Sequence, residues 1–296
     1  MNDFPFRSAR LRVAVVAAGR VATSTAALLI EAGHRLVGVW SRSSPSAARA
    51  AEMLGASTGS LEAVTRDAEL VLLGVPEEAL TPMARALVAH LAPGAIVWHF
   101  AGASGIRPLS PIRDAGARPC ALHPMASLPS LESGAQRLRS IAWGRTCSPD
   151  LEGWADELVR QDLGGVPIAV AEADRAVWHA AAVIAANGFA AVLDAGEAIL
   201  GAVGVARPQE VLAPLVTTVR DNAREEGAAR ALTGPIVRGE VAVVQRHLDA
   251  LREKAPEMIP AYLASAESVR LAAKRDRRLD DEVDRRLRQA LAAPWT

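Results

Sequence analysis

Apolar residues fall in short blocks up to about residue 171 and in long helical periodicities after it. Leu11 to Ala17 is an apolar run of strand length. Gly19 marks a turn, and Arg20 to Ala32 carries Val21, Ala22, Leu28 and Leu29 at helical spacing. Gly33 reads as a C-cap, and Arg35 to Trp40 as a second strand. Ser44-Pro45 opens a helix that runs to about Leu54. Glu69 to Gly74 is a strand stopped by Val75-Pro76. Glu77 to Leu91 is an amphipathic helix, and Ala95 to Phe100 is a buried strand ending in the loop 101–105. Arg118 to Leu122 is a strand leading into His123-Pro124. Ser140 to Trp143 and Val166 to Val170 are shorter strands.

Strands alternating with helices predict an α/β fold, a Rossmann doubly wound parallel sheet followed by an all-α C-terminal domain. The division is expected at 1–171 and 172–296. The loops after Ala17, Trp40, Gly74, Phe100 and Leu122 should gather at the carboxyl edge of the sheet, where such folds bind ligands. Residues 1–10 are expected to be a loose arm. Glu172 to Leu200 is one Ala-rich helix, apolar on nearly all sides, which suits the middle of a bundle or a subunit interface. His179, Asn187 and Gly188 interrupt it, and Asp174, Arg175 and Asp194 bound its most apolar part. It is therefore expected to be a buried core helix rather than a membrane span. Further helices start at Pro208 and Gly239, and another segment, punctuated by Pro256 and Pro260, runs to about Arg270. Lys274 to Trp295 carries Leu279, Val283, Leu287 and Leu291 as one narrow stripe on a solvated helix, expected to lie against the body or a partner subunit.

Half of the 296 residues are hydrophobic, enough for a substantial core. Basic and acidic residues number 33 each, so no global field favours nucleic acid or an anionic membrane. Cys120 and Cys147 have neither metal-ligand nor disulfide-framework spacing, and the histidines show no tight metal-ligand spacing. Ordinary thiols and no metal are expected. The N-terminus MNDFPFRSARLR has no signal-peptide core, and a cytoplasmic location is expected.

The strand–glycine–helix–strand unit at 11–40 is the unit that binds a dinucleotide, because a helix N-terminus presents unpaired amides and a partial positive charge to a pyrophosphate. The three positions of its G-x-G-x-x-G pattern are Ala17, Gly19 and Ala22. The expected cofactor contacts are Ala17, Ala18, Gly19, Arg20 and Val21 at this turn, with Val75, Pro76 and Ala101 at the neighbouring strand ends. The second strand ends in Ser41, Arg42 and Ser43, with no acid to accept from a ribose hydroxyl. A guanidinium with flanking hydroxyls suits a 2′-phosphate, so NADP(H) is expected over NAD(H).

The blocks AAGRVA before a helix ending AGH, VWSRS, VWHFAGA, ALHPMASL, HAAAVIAANGFAAVLDAGE and ALTGPIVRGE carry a family likeness over about residues 10–270. The chain resembles the bacterial Rossmann-like proteins with a helical C-terminal domain of unknown function 2520. These are relatives of the ketopantoate, pyrroline-carboxylate and 3-hydroxyacid reductases and of the deazaflavin-dependent NADP reductases. The resemblance implies a homodimer formed through the C-terminal helices and a cleft between the two domains. It also implies hydride transfer between NADP(H) and a small carbonyl, imine or hydroxy compound. The chain departs from the family at Ala17, where the first phosphate-loop glycine stands. It departs again at His99-Phe100-Ala101-Gly102, which lacks the hydroxyls of a histidine-threonine-serine-glycine loop. If Asn187 matches the helical asparagine of related reductases, Val183 stands in place of their catalytic lysine.

His179 and Asn187, eight residues apart, would share a helix face about 12 Å apart. Asn187 suits orientation of a substrate carbonyl or ribose, and His179 suits proton donation; bonding within the helical core is the alternative for both. His123 suits a proton donor or carboxylate ligand, or else a loop-shaping ring. His99, Gly102 and Arg238 are the candidate substrate contacts. For His99 the alternative is a bond to the next loop, and for Arg238 an ion pair to Glu240 or Asp221. Asn222 is a lesser candidate. The first reading is thus an NADP(H)-dependent, ketopantoate-reductase-like enzyme. The rivals are a non-catalytic nucleotide-binding or regulatory dimer, and a cleft doing proton transfer or hydrolysis without a nicotinamide.

Overall fold

A computed structural model describes residues 10–292. The expected N-terminal arm, all but its last residue, and the chain's final four residues lie outside them. The polypeptide forms two compact units, Met1–Val183 and Ile184–Thr296, so the division falls inside the long apolar segment rather than at residue 172.

The first unit is built on seven strands: β1 Arg12–Val16, β2 Arg35–Trp40, β3 Leu70–Leu73, β4 Ile96–His99, β5 Arg118–Pro124, β6 Ala142–Cys147 and β7 Val166–Ala169. They lie in the order β2-β1-β3-β4-β5-β6-β7. Its helices are α1 Arg20–Glu31, α2 Ser44–Leu54, α3 Leu61–Thr65, α4 Leu80–Val88, α5 Ser110–Asp114, α6 Gly134–Arg137, α7 Glu152–Glu157 and α8 Arg175–Val183. Side chains alternate across a strand, and both faces of the central strands β1, β3 and β4 are covered. Val13, Val15, Leu70, Leu72, Ile96 and Trp98 pack on the face of α1, α2 and α7. Ala14, Val16, Val71, Leu73 and Val97 pack on the face of α4 and α5. This is the α/β architecture expected, with one correction. The sheet is not wholly parallel: β6 runs antiparallel to β5. The strand starts at Ala142, two residues later than expected, and extends to Cys147. Register between strands is set by contacts distant in sequence, which apolar periodicity does not encode.

The second unit contains α9 Phe189–Ala202, α10 Pro208–Glu226, α11 Ala228–Ala231, α12 Val241–Lys254, α13 Ile259–Arg275 and α14 Asp281–Leu291. Leu279, Leu287 and Leu291 are buried with Val244, Leu248 and Ala266, so the narrow stripe packs on its own body. Arg270 lies beneath α14 and forms ion pairs with Asp284 and Glu267.

The long apolar segment is not a core helix within this chain. Of the run Glu172–Ala202, which is long and apolar enough to cross a membrane by length and composition, none of the most apolar window is buried. Arg175 and Ala195 are its only buried residues. A turn of π-helix at Ile184–Gly188 also interrupts the α-helical spacing assumed between His179 and Asn187.

Candidate functional site

Local sequence explains the phosphate turn. Strand β1 must reverse into α1 within three residues, and Ala17 does so in the left-handed region with φ 64°. A β-carbon costs roughly 1–2 kcal/mol there, which is why glycine is usual. The Gly19 amide donates to the Ala17 carbonyl at 2.9 Å, and the Thr23 amide closes the first helical bond onto Gly19 at 3.0 Å. The amides of Arg20, Val21 and Ala22 therefore open the helix without an intrahelical acceptor, and no side chain caps them. The end of β3 lies directly under the turn: a β-carbon on Gly74 would stand 2.3 Å from the Ala17 carbonyl oxygen.

Two cavities meet at this turn and share Gly19, Gly74, Val75 and Pro76. The first, about 560 Å³, runs past Ala17 and Ala18 to Ser41, Arg42, Ser43 and Ser46. Ser46 Oγ donates to Ser43 Oγ at 3.1 Å, and Arg49 reaches Ser46 Oγ at 3.4 Å. Arg42 is exposed and makes no hydrogen bond or ion pair to the described residues. The second cavity, about 480 Å³, passes Arg20, Val21, Phe100, Ala101 and Gly102 to His123 and His179. Arg20 spans its rim, donating to the carbonyls of Leu128 and Pro129 at 3.0 and 2.8 Å. Both volumes lie in the range of small-molecule sites.

The imidazoles of His123 and His179 meet edge to face, with centroids 5.4 Å apart. Gly102 lies against both: a β-carbon there would stand 2.3 Å from His179 Cδ2 and 2.9 Å from His123 Nε2. Trp178 fixes the state of His123. Its indole Nε1 donates to His123 Nδ1 at 3.1 Å. An indole only donates, so Nδ1 must be the bare nitrogen and Nε2 carries the hydrogen. Protonation would set two donors against each other. Burial, with the nearby Arg175 cation, holds this imidazole down to about 4. His123 is therefore a neutral hydrogen-bond donor at ordinary pH, not an imidazolium acid. Trp178 reaches it because β6 offers Gly144 beneath: a β-carbon there would stand 2.6 Å from the indole.

His99 is a correction. It is fully buried, its Nδ1 accepts from the Ala101 amide at 3.1 Å, and its Nε2 bonds the Gly105 carbonyl at 2.7 Å. Burial holds it neutral, down to about 4. With both nitrogens committed to the loop 101–105, it shapes that loop and does not bind substrate.

Arg175 escaped the sequence reading as a functional-site residue. It is fully buried, and its guanidinium donates to the carbonyls of Ser104 (3.0 Å), Gly144 (2.9 Å) and Ala101 (2.8 Å). It thus ties the loop after β4 to the strand beside His123. Glu172 closes the same loop from outside, accepting from the amides of Ile106 and Arg107 at 2.8 and 3.1 Å. Trp178 was also missed. Its partner is 55 residues away, and its only mark in the sequence is an aromatic one position before a histidine.

Asn187, Asn222 and Arg238 belong to the second unit. Asn187 sits within the π turn. Arg238 is exposed and pairs with Glu240 at 2.8 Å, so it is committed to a local ion pair rather than standing as an open clamp. Among the described residues no group of three or more His, Cys, Asp or Glu side chains is placed to hold a metal.

Residues 2–124 match the model of a Rossmann-like domain, and residues 142–269 match that of a domain of unknown function, DUF2520. These matches bear out the resemblance drawn from the sequence blocks. No curated protein matches the sequence. Among solved structures, the chain is similar to a candidate NADP oxidoreductase from Bacteroides fragilis, with 21% identity over 88% of this chain and 97% of that one and a TM-score of 0.73. It is similar to a reductive aminase from Aspergillus terreus in complex with NADPH and ethyl levulinate, with 15% identity over 95% and 99% and a TM-score of 0.65. It is also similar to a pyrroline-5-carboxylate reductase from Coxiella burnetii, with 18% identity over 89% and 99% and a TM-score of 0.58. At these identities the likeness is one of fold.

Proposed function

We propose that this chain, a Rossmann-like domain continued by a DUF2520 domain, is an oxidoreductase that uses NADP(H) to move a hydride to or from a small carbonyl, imine or hydroxy compound. The observation that carries this reading is the meeting of two cavities at an uncapped helix N-terminus. A diphosphate fits there, against the amides of Arg20, Val21 and Ala22. The ribose phosphate would lie toward Arg42, Ser43 and Ser46, and the nicotinamide toward Phe100, Gly102 and His123. Two of the three proteins named above support the cofactor, one through what it is called and one through what it was crystallised with.

When bound, the nicotinamide supplies or accepts the hydride. The chain's own part is orientation and polarisation. The Nε2 hydrogen of His123 is held by Trp178 on the far nitrogen and is free to bond the oxygen or nitrogen on which negative charge develops. His179 stands beside it as a second polar contact. Gly102 leaves the floor between them without a side chain.

Titration calorimetry tests the reading. NADPH should bind, and Arg42→Ala should weaken it by about 10- to 100-fold, the worth of charge-assisted hydrogen bonds at about 1.5–3 kcal/mol. NADH should change little. Absence of heat with either nucleotide would refute the reading, and an equal loss for both would remove the role given to Arg42. Binding without turnover across a carbonyl and imine panel would favour the non-catalytic dimer.

A second copy of the chain is proposed as the cover for the exposed apolar helices. Val211, Leu215 and Val219 form a stripe at spacing four along α10, and Phe189 and Val192 are exposed on α9. Asp194 and Glu197 on the same helix make a lipid setting costly. Sedimentation in detergent-free buffer should return twice the chain mass; a monomer would overturn the assignment.

A further inference from the structure

The antiparallel junction of β5 and β6 places Cys120 directly opposite Cys147. Hydrogen-bond directions define the kind of pair. The Arg118 amide donates to Ala95, on the β4 side, and the Met125 amide donates to Ala142, on the β6 side. Donors alternate along a strand, so 125/142, 123/144 and 121/146 are hydrogen-bonded pairs, and 120/147 is not. Partners of that kind approach to about 4.5 Å between α-carbons, within the 4.4–6.8 Å that a disulfide spans. Both side chains share one face of the sheet, in the cluster with Trp98 and Leu122. Cys120 is fully buried, and Cys147 is half-buried. The Arg145 guanidinium lies 3.6 Å from Cys147 Sγ, held by Glu152 at 3.0 Å and Asp156 at 2.8 Å.

We infer that Cys147 and Cys120 are a reversible dithiol–disulfide pair, with Cys147 as the attacking thiol. A cation beside its sulfur favours the thiolate. The Cys120 hydrogen bond and then Arg145 lower the Cys147 thiol, whereas Cys120 is raised by that bond and by burial. With a low-molecular-weight disulfide as oxidant, the Cys147 thiolate attacks one of its sulfurs and expels one thiolate. Cys120 then gives up its proton, attacks Cys147 Sγ and expels the second. Two electrons pass to the oxidant, which leaves as two thiols. The bond would tie β5 to β6 beside the pair His123 and Gly144, so it would lock the strands that carry the indole-held imidazole.

The test is incubation of the full chain with oxidised glutathione, followed by denaturation, maleimide labelling and mass measurement. The wild type should lose both free thiols, gain no glutathione and yield a peptide linking 120 to 147. Cys120→Ser should instead accumulate a stable glutathione adduct on Cys147, and Cys147→Ser should keep its thiol. Circular dichroism checks that each variant keeps its sheet. Two thiols persisting in the wild type, a link between chains, or an adduct on Cys120 would each overturn the inference. None of these readouts depends on nucleotide binding.

Discussion

Replacing Arg175 by methionine is expected to lower folding stability by on the order of 3–5 kcal/mol. Methionine keeps much of the stem volume but none of the donors. The carbonyl of Gly144 would be left without a donor in the sheet interior, and those of Ala101 and Ser104 would lose theirs at half-buried positions. Each orphaned acceptor costs about 1–3 kcal/mol. Lysine should recover only part, since an ammonium is a point charge and the three acceptors need a fork. The midpoint of thermal unfolding should fall by roughly 10 °C. A second readout is specific to the charge. Arg175 is the second cause, after burial, of the low His123 value of about 4, so removing the cation should move that imidazole upward. Proton-detected titration of the histidine ring would show it. A midpoint within about 2 °C of wild type, or an unmoved titration, would contradict the assignment.

Gly74→Ala is expected to abolish dinucleotide binding, with an affinity loss of more than about 100-fold. The new methyl would stand 2.3 Å from the Ala17 carbonyl oxygen and 2.8 Å from Ala22 Cβ. The first of these is main chain and cannot swing aside. The turn and the end of β3 must separate, and the amides of Arg20, Val21 and Ala22 lose their setting. Overpacking of this kind also costs about 1–3 kcal/mol of stability. Gly153→Ala is the control, because nothing lies within 4 Å of its new methyl. Calorimetry with NADPH separates the two. Equal affinity for wild type and Gly74→Ala would show that the diphosphate does not sit at this turn.

Much of the first unit was legible because its signals are local. The run of Leu11 to Ala17, the glycine and the helical spacing from Val21 to Leu29 each lie within one or two turns of chain. The oddity of Ala17 was visible too, although that alanine adopts the left-handed turn itself was not. Direction of pairing was hidden. Nothing in Ala142 to Cys147 says antiparallel, because register depends on which strand it meets. The same limit hid Trp178 and Arg175, whose partners lie 31 to 74 residues away. The apolar helix misled for another reason. Apolarity on all sides says that something must cover a helix, but not that the same chain does so.

Gly144 and Trp178 occupy one volume between them. Relatives of this chain should therefore vary the two positions in concert. A lineage that gains bulk at 144 would have to shed the indole at 178, and its imidazole at 123 would then be free to carry its hydrogen on either nitrogen. Chemistry needing a bare ring nitrogen as an acceptor at that spot would become open to such descendants and stay closed to this one.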